Sequence, residues 1–201
     1  EFEIKPFLAT NKSADVLITG VGIPSTIFSL ANKLSISTYD LVIQAGIAGT
    51  FNNRFDKTDV FLFSEDTFAD IGIEEKGNFQ TLFEKGFASA NDFPYKDGWL
   101  KNEDVLIQQK MLPVAKAITV NKITDDKNNI ARQQEKFGPD IESMEGAAFH
   151  FVCLMQKVSF LQLRSISNIV GERDKSKWKI NVSISPLTLV LNKFVQKFII
   201  M

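Results

Sequence analysis

The chain has 201 residues and a formal net charge of −1. That length suits one domain, which at this size hides roughly 70% of its extended-chain surface; interspersed Lys and Glu with no basic run exclude a nucleic-acid-binding surface. One cysteine, Cys153, rules out an intrachain disulfide and fits a reducing cytoplasm, while one histidine, His150, and no Gly-x-Ser-x-Gly elbow argue against a zinc site or a Ser-His-Asp triad.

In chain order, strands are predicted at Asp15–Thr19, Leu41–Gln44, Val60–Phe63, Ala117–Asn121 and Ser159–Arg164. Their interiors are continuously apolar, as in strands covered on both faces. Helices are predicted at Pro24–Leu34, Asp125–Phe137, Met144–Gln156 and Pro186–Ile200, with Pro24 and Pro186 in first turns and Ser185 as an N-cap. Leu187–Met201 is broken by Asn192, Lys193, Gln196 and Lys197, so it reads as an amphipathic closing helix and no membrane span or secretory leader is expected. The polar stretches Ile73–Asn102 and Gly171–Asn181 read as loops near a ligand or partner. The alternation predicts an α/β fold, a three-layer α/β/α sandwich around a central mixed sheet.

Two segments carry the chemistry. Glu142-Ser143-Met144-Glu145-Gly146-Ala147-Ala148 puts a carboxylate at a helix start, and Arg164-Ser165-Ile166-Ser167-Asn168 puts a carboxamide at a strand end, where ligands of α/β sheets sit. Together they suit a purine nucleoside, the acid holding ribose hydroxyls and the amide reading the base. Taken singly, each has a plainer alternative. Glu145 fits a solvated acid in a first helical turn, and Asn168 fits an Asx-type turn. The glycines of Gly20-Val21-Gly22 and Gly46-Ile47-Ala48-Gly49 let backbone approach an oxygen-rich ligand, or simply make tight turns; neither segment completes a Rossmann or Walker motif.

With Thr19-Gly20-Val21-Gly22, Gln44–Thr50 and the run from Gly171 through Arg173, Asp174 and Trp178, these segments resemble the nucleoside phosphorylase and nucleosidase superfamily, and within it the futalosine hydrolases. The resemblance implies cleavage of the N-glycosidic bond of futalosine to hypoxanthine and dehypoxanthine futalosine, in a route to menaquinone. It assigns Glu3 to water activation, Met144 and Glu145 to the ribose, Gly46 and Ala48 to the sugar and water pocket, Ser167 and Asn168 to the base. It offers Arg173 for the substrate's benzoate, although a surface pair with Asp174 or Glu172 accounts for that arginine equally well. Glu3 by itself also fits an exposed terminal acid. No metal or organic cofactor is implied, and a homodimer is, with the Phe-rich Val60–Phe68 region as a candidate interface.

In sister enzymes acting on methylthioadenosine and adenosylhomocysteine, an aspartate stands at the position of Asn168. A carboxylate accepts from an amino group and protonates N7, whereas an amide donates to O6 of a 6-oxopurine and offers its carbonyl to a protonated N7. Asn168 therefore points to hypoxanthine, and leaves the N7 proton to water or a neighbour. The family's opening strand, just before the segment matching Glu1-Phe2-Glu3, has no counterpart in this chain, so the single domain is expected to be one strand short. No aromatic follows Asn121 to stack on the base; Phe68 and Phe93 are the candidates. The remaining alternatives are an adenine-type nucleosidase, a phosphorylase, and a nucleoside-binding protein without turnover.

Overall fold

A computed structural model describes residues 2–11, 13–109 and 111–199; Glu1 and Ile200 lie outside the described residues. In chain order the elements are α1 (Lys5–Thr10), α2 (Ile23–Ile36), β1 (Val42–Thr50), β2 (Val60–Phe68), β3 (Gly72–Glu75), β4 (Asn78–Thr81), β5 (Leu100–Lys101), α3 (Val105–Gln108), β6 (Val114–Thr119), α4 (Lys127–Phe137), β7 (Ile141–Ser143), α5 (Gly146–Gln156), β8 (Phe160–Ile169) and α6 (Ile180–Ile199).

Six strands form one mixed sheet in the order β5-β2-β6-β7-β1-β8. β1 runs parallel to β8 and β2 parallel to β6, while β1–β7 and β2–β8 are antiparallel. Because β2 bonds β8 through Val60–Leu62 and β6 through the rest of its length, the sheet curls back on itself. On one face, Leu30 of α2 and Phe149, Val152 and Cys153 of α5 pack against Phe160. On the other, Phe7 of α1 and Leu187, Leu191 and Phe194 of α6 pack against Val60, Leu62, Leu161 and Leu163. The α/β/α layering expected from the sequence is thus present.

Several local expectations need correction. Asp15–Thr19 is extended but joins no ladder among the described residues, and Val16, Leu17 and Ile18 stay 37–48% exposed. An apolar run becomes a strand only where an edge lies within bonding reach, and here a cleft separates it from β1. Gly46–Gly49 is not a turn but the second half of β1, which pairs with β7 only at Gly49 and Thr50. Pro186 lies inside α6 rather than at its start, so Ser185 caps nothing; the helix begins at Ile180, and Ser183 donates to Lys179 O and Ile166 O. The stretch from Ile73 to Asn102 holds the β3–β4 hairpin and β5 as well as loops. The Val60–Phe68 region cannot be the dimer interface: it is an interior strand, with Phe61 4% and Phe63 0% exposed. No described helix is long and apolar enough to cross a membrane.

Leu163 sits fully buried between β1 and β2, in the cluster that α6 covers. Leu163→Ala is expected to lower unfolding free energy by about 2–5 kcal/mol, read from the midpoint of urea denaturation.

Candidate active site

The parallel register of β1 and β8 sets Gly46 opposite Arg164 and Gly49 opposite Asn168. Arg164 is the one charged residue of β8, its side chain only 4% exposed. A guanidinium removed from water needs carboxylate and carbonyl partners. It finds Glu145 Oε2 at 3.4 Å and Ile47 O at 3.3 Å. A Cβ at position 46 would collide with Arg164 Nη1 and press on Glu3 Oε2, so glycine opens the passage in which the guanidinium and that carboxylate meet.

Glu145 is the N-cap of α5. It is not a solvated first-turn acid: its side chain is 16% exposed, and Oε1 accepts from Gly22 N at 3.0 Å. Ser143 Oγ instead accepts the α5 amide of Gly146 at 3.1 Å, leaving the Glu145 carboxylate free to face outward from the helix start. Glu3, in the turn before α1, is half-buried. Burial raises its pKa, the Arg164 guanidinium opposes the rise, and the Glu145 carboxylate adds to it.

At the end of β8, Ser167 Oγ lies 2.8 Å from Asn168 Oδ1 and 3.2 Å from Ala48 O, and Asn168 Nδ2 donates to Ile169 O at 3.0 Å. The amide is oriented by its neighbours, with one N–H and one lone pair still free for a ligand. Arg173 is exposed; its guanidinium lies 5.8 Å from the Trp178 ring centre, while Glu172 and Asp174 pair with Lys177 instead.

A cleft of about 800 Å³ gathers these groups. Glu3, Ala48, Met144, Glu145, Ser167, Asn168 and Arg173 all line it, together with Glu142, Arg164 and Trp178; Gly46 contributes the gap between Glu3 and Arg164. The cleft also runs on between Asp15–Thr19 and β1 to Leu191 and Phe198 of α6, so these groups occupy only part of it. Neither Phe68 nor Phe93 lines the cleft, and Phe93 lies 65% exposed on the surface, so neither stacks on a base there. Ile123, Thr124 and Val170 occupy that part of the wall.

Sequence reasoning assigned no role to Arg164, Glu142 or Asp66. An arginine within a strand-like run and an acid just before a helix start were the available signals. Asp66, on β2, is fully buried, accepts from Thr119 Oγ1 at 3.0 Å and lies 3.5 Å from Gln162 Nε2; Thr119 Oγ1 in turn accepts Ala147 N at 2.7 Å. This chain ties the N-terminus of α5, and with it Glu145, to the sheet. Burial pushes the Asp66 carboxyl up to about 7 and the His150 imidazole, bonded to Leu100 O and absent from the cleft wall, down to about 4.

The model of the phosphorylase superfamily matches residues 8–196. The futalosine hydrolase of Thermus thermophilus is 27% identical over 187 residues, covering 89% of this chain and 80% of that protein. The 5′-methylthioadenosine/S-adenosylhomocysteine nucleosidase of Colwellia psychrerythraea is also 27% identical, covering 91% and 80%. Among solved structures, a mutant of the Helicobacter pylori nucleosidase with 5′-methylthioadenosine in its active site has the same fold, with a TM-score of 0.78 at 16% identity over 97% of this chain and 94% of that one.

Asp66 holds a proton more tightly when folded than when unfolded, so its contribution to stability falls as pH rises from 3.8 to about 7. Asp66→Asn removes that slope. Over this window the stability difference is expected to move in the variant's favour by about 1.4 kcal/mol per pH unit, then level off. Urea unfolding of both proteins across the pH series checks it; a pH-independent difference means Asp66 is already ionised.

Proposed function

We propose that this chain, which belongs to the phosphorylase superfamily, hydrolyses the N-glycosidic bond of futalosine, releasing hypoxanthine and dehypoxanthine futalosine. The observation that carries the proposal is an oriented carboxamide, Asn168, at one cleft with the Arg164-bound carboxylate of Glu145. Nucleoside hydrolysis develops positive charge on the sugar as the base departs, and a carboxylate fixed beside it stabilises that charge. Glu145 takes this role and accepts the ribose hydroxyls, with Met144 against the sugar. Its orientation is set before substrate arrives, because Gly22 N and Arg164 grip separate oxygens.

Glu3 accepts a proton from the attacking water. Its raised pKa makes it a stronger base than a free carboxylate, which brings it nearer the optimum for catalysis around neutrality. Gly46 and Ala48 frame the space for sugar and water. Ser167 positions Asn168, whose Nδ2 donates to O6 and whose Oδ1 faces a protonated N7. Arg173, held over Trp178 at the mouth, pairs with the substrate's carboxylate. On this proposal the chain is a single domain that works without metal or organic cofactor, in the cytoplasm, as a homodimer in a route to menaquinone. A lone monomer-sized peak in native mass spectrometry rejects the dimer.

A phosphorylase needs cationic groups free to bind phosphate. Here Arg164 is engaged by Glu145 and Lys33 by Asp15, and Arg54 bonds Asn52 Oδ1 and does not line the cleft; Arg173, the partner of the substrate's carboxylate, is the cation a phosphate would have to use. An adenine-type nucleosidase is the closer rival, given the Colwellia relative. Free base is to be measured from futalosine and from methylthioadenosine, with and without phosphate, for wild type and Asn168→Asp. Wild type should prefer futalosine, form no sugar phosphate, and lose about 10- to 100-fold in kcat/KM on futalosine in the variant, as a mispaired buried group costs about 1–3 kcal/mol. Faster adenine release by wild type sinks the proposal; calorimetric binding of futalosine without base release points to a binding protein.

A further inference from the structure

The proposed chemistry leaves one proton unassigned. The departing base must gain a proton at N7, and the amide of Asn168 cannot give one up. The register of three strands identifies a donor. Glu142 of β7 pairs with Gly49 of β1, and Gly49 pairs with Asn168 of β8. Directly paired residues of a sheet project to the same face, so an acid and an amide flank a position that has no side chain. A Cβ at 49 would press on Asn168 Nδ2 and Val170 Cγ2, so glycine lets the amide lie close over β1 on the face it shares with Glu142. Glu142 and Asn168 both line the cleft.

Glu142 is only 6% exposed, and its Oε2 has no hydrogen-bond partner among the described residues. A buried oxygen left unpaired is costly; Glu142 lines the cleft, and a turn of its side chain that brings this oxygen to a ligand atom there relieves the cost. We infer that Glu142 is a catalytic residue: it enters the cycle protonated and gives its proton to N7 of the purine that Asn168 Nδ2 holds at O6, taking at N7 the place otherwise left to Asn168 Oδ1. This inference rests on the purine-releasing reading of the site. In the step, the C1′–N9 bond breaks and its electron pair stays with the base, whose N7 takes the Glu142 proton. The water oxygen bonds C1′, and its proton passes to Glu3. Exchange with solvent then returns Glu3 and Glu142 to their starting states.

The charged groups that face Glu142 are Asp70, after β2, and Arg173, after β8; the paired residues Ile118 and Gly49 on its flanking strands carry no charge. Burial first, then the Asp70 carboxylate, pushes the Glu142 carboxyl up to about 7, against the pull of Arg173. Asp70 is fixed for this by Asn121 Nδ2 at 3.1 Å and Lys122 N at 3.3 Å.

Two readouts test the inference. In futalosine hydrolysis, Glu142→Gln should lose about 10²–10⁴-fold in kcat while KM stays within about threefold, and the wild-type fall in kcat/KM above pH about 7 should vanish in the variant. A variant within about threefold of wild-type kcat, or one that keeps the alkaline fall, overturns the inference. The second readout needs no turnover and no variant. Calorimetry on wild type compares inosine, whose N7 accepts a proton, with 7-deazainosine, which has a carbon there. Inosine affinity should weaken about tenfold per pH unit above about 7, and 7-deazainosine affinity should not. A shared pH profile, or no binding of either nucleoside, overturns the inference. The inosine-specific pH dependence in a protein that releases nothing from futalosine supports the Glu142 site while the futalosine reading fails.

Discussion

The buried contact between Arg164 and Glu145 is the constraint around which the cleft is arranged. Neither group tolerates burial alone; removing one partner of such a pair typically costs about 3–5 kcal/mol because the other charge is stranded. The two come from different layers, Arg164 from β8 in the sheet and Glu145 from the N-terminus of α5. Their contact therefore sets how the helix start sits on the sheet. It also depends on a third strand, since the guanidinium passes over β1 where Gly46 has no side chain and bonds the carbonyl of Ile47. One register, Gly46 against Arg164, thus places a cation between two carboxylates, Glu145 and Glu3.

The same cation separates the behaviour of the acids around it. Glu145 accepts from Arg164 and from a backbone amide, one on each carboxylate oxygen. Glu3 feels Arg164 too, but burial and the neighbouring Glu145 charge outweigh it. Glu142 has a cation, Arg173, and an anion, Asp70, opposing each other, and burial decides. Burial thus raises the pKa of both Glu3 and Glu142, each against the pull of a different arginine. Asp66 shows the structural version of the effect: nothing in the cleft uses it, and its bond with Thr119 anchors the first turn of α5.

Much of this was legible in the chain, and the failures have physical causes. The α/β alternation and four of the five strands followed from apolar runs, while the place of Glu145 and Asn168 at one cleft followed from the family resemblance, each residue alone having a plainer reading. Asp15–Thr19 failed because pairing is a property of two segments, and the sequence of one shows only that it is apolar. Pro186 failed because a proline tolerated within a helix looks, locally, like one that begins it. The assignment of Phe68 and Phe93 failed because residue type carries no information on which side of a strand or loop faces a pocket. Arg164 was visible as a charge within a strand-like run and Glu142 as an acid just before a helix start, but their placement depends on strand register, which no single segment reveals.

Register also explains why recognition and proton transfer can be divided between two residues. An aspartate at position 168 would combine them, reading the base and supplying the proton from one carboxyl, but it would set an acceptor against O6. An amide removes that conflict and with it the acid. The division works only if a second group reaches the same ring, and a side chain on β1 between β8 and β7 would block it. Gly49 lets the Asn168 amide lean over β1 toward the strand that carries Glu142. A 6-oxopurine site built with an amide therefore places its demand on the neighbouring strands: a glycine to make room and a buried acid beyond it. The β8–β1–β7 row places a glycine and a buried acid in that order, and so links the amide at position 168 to the strand that leads into α5.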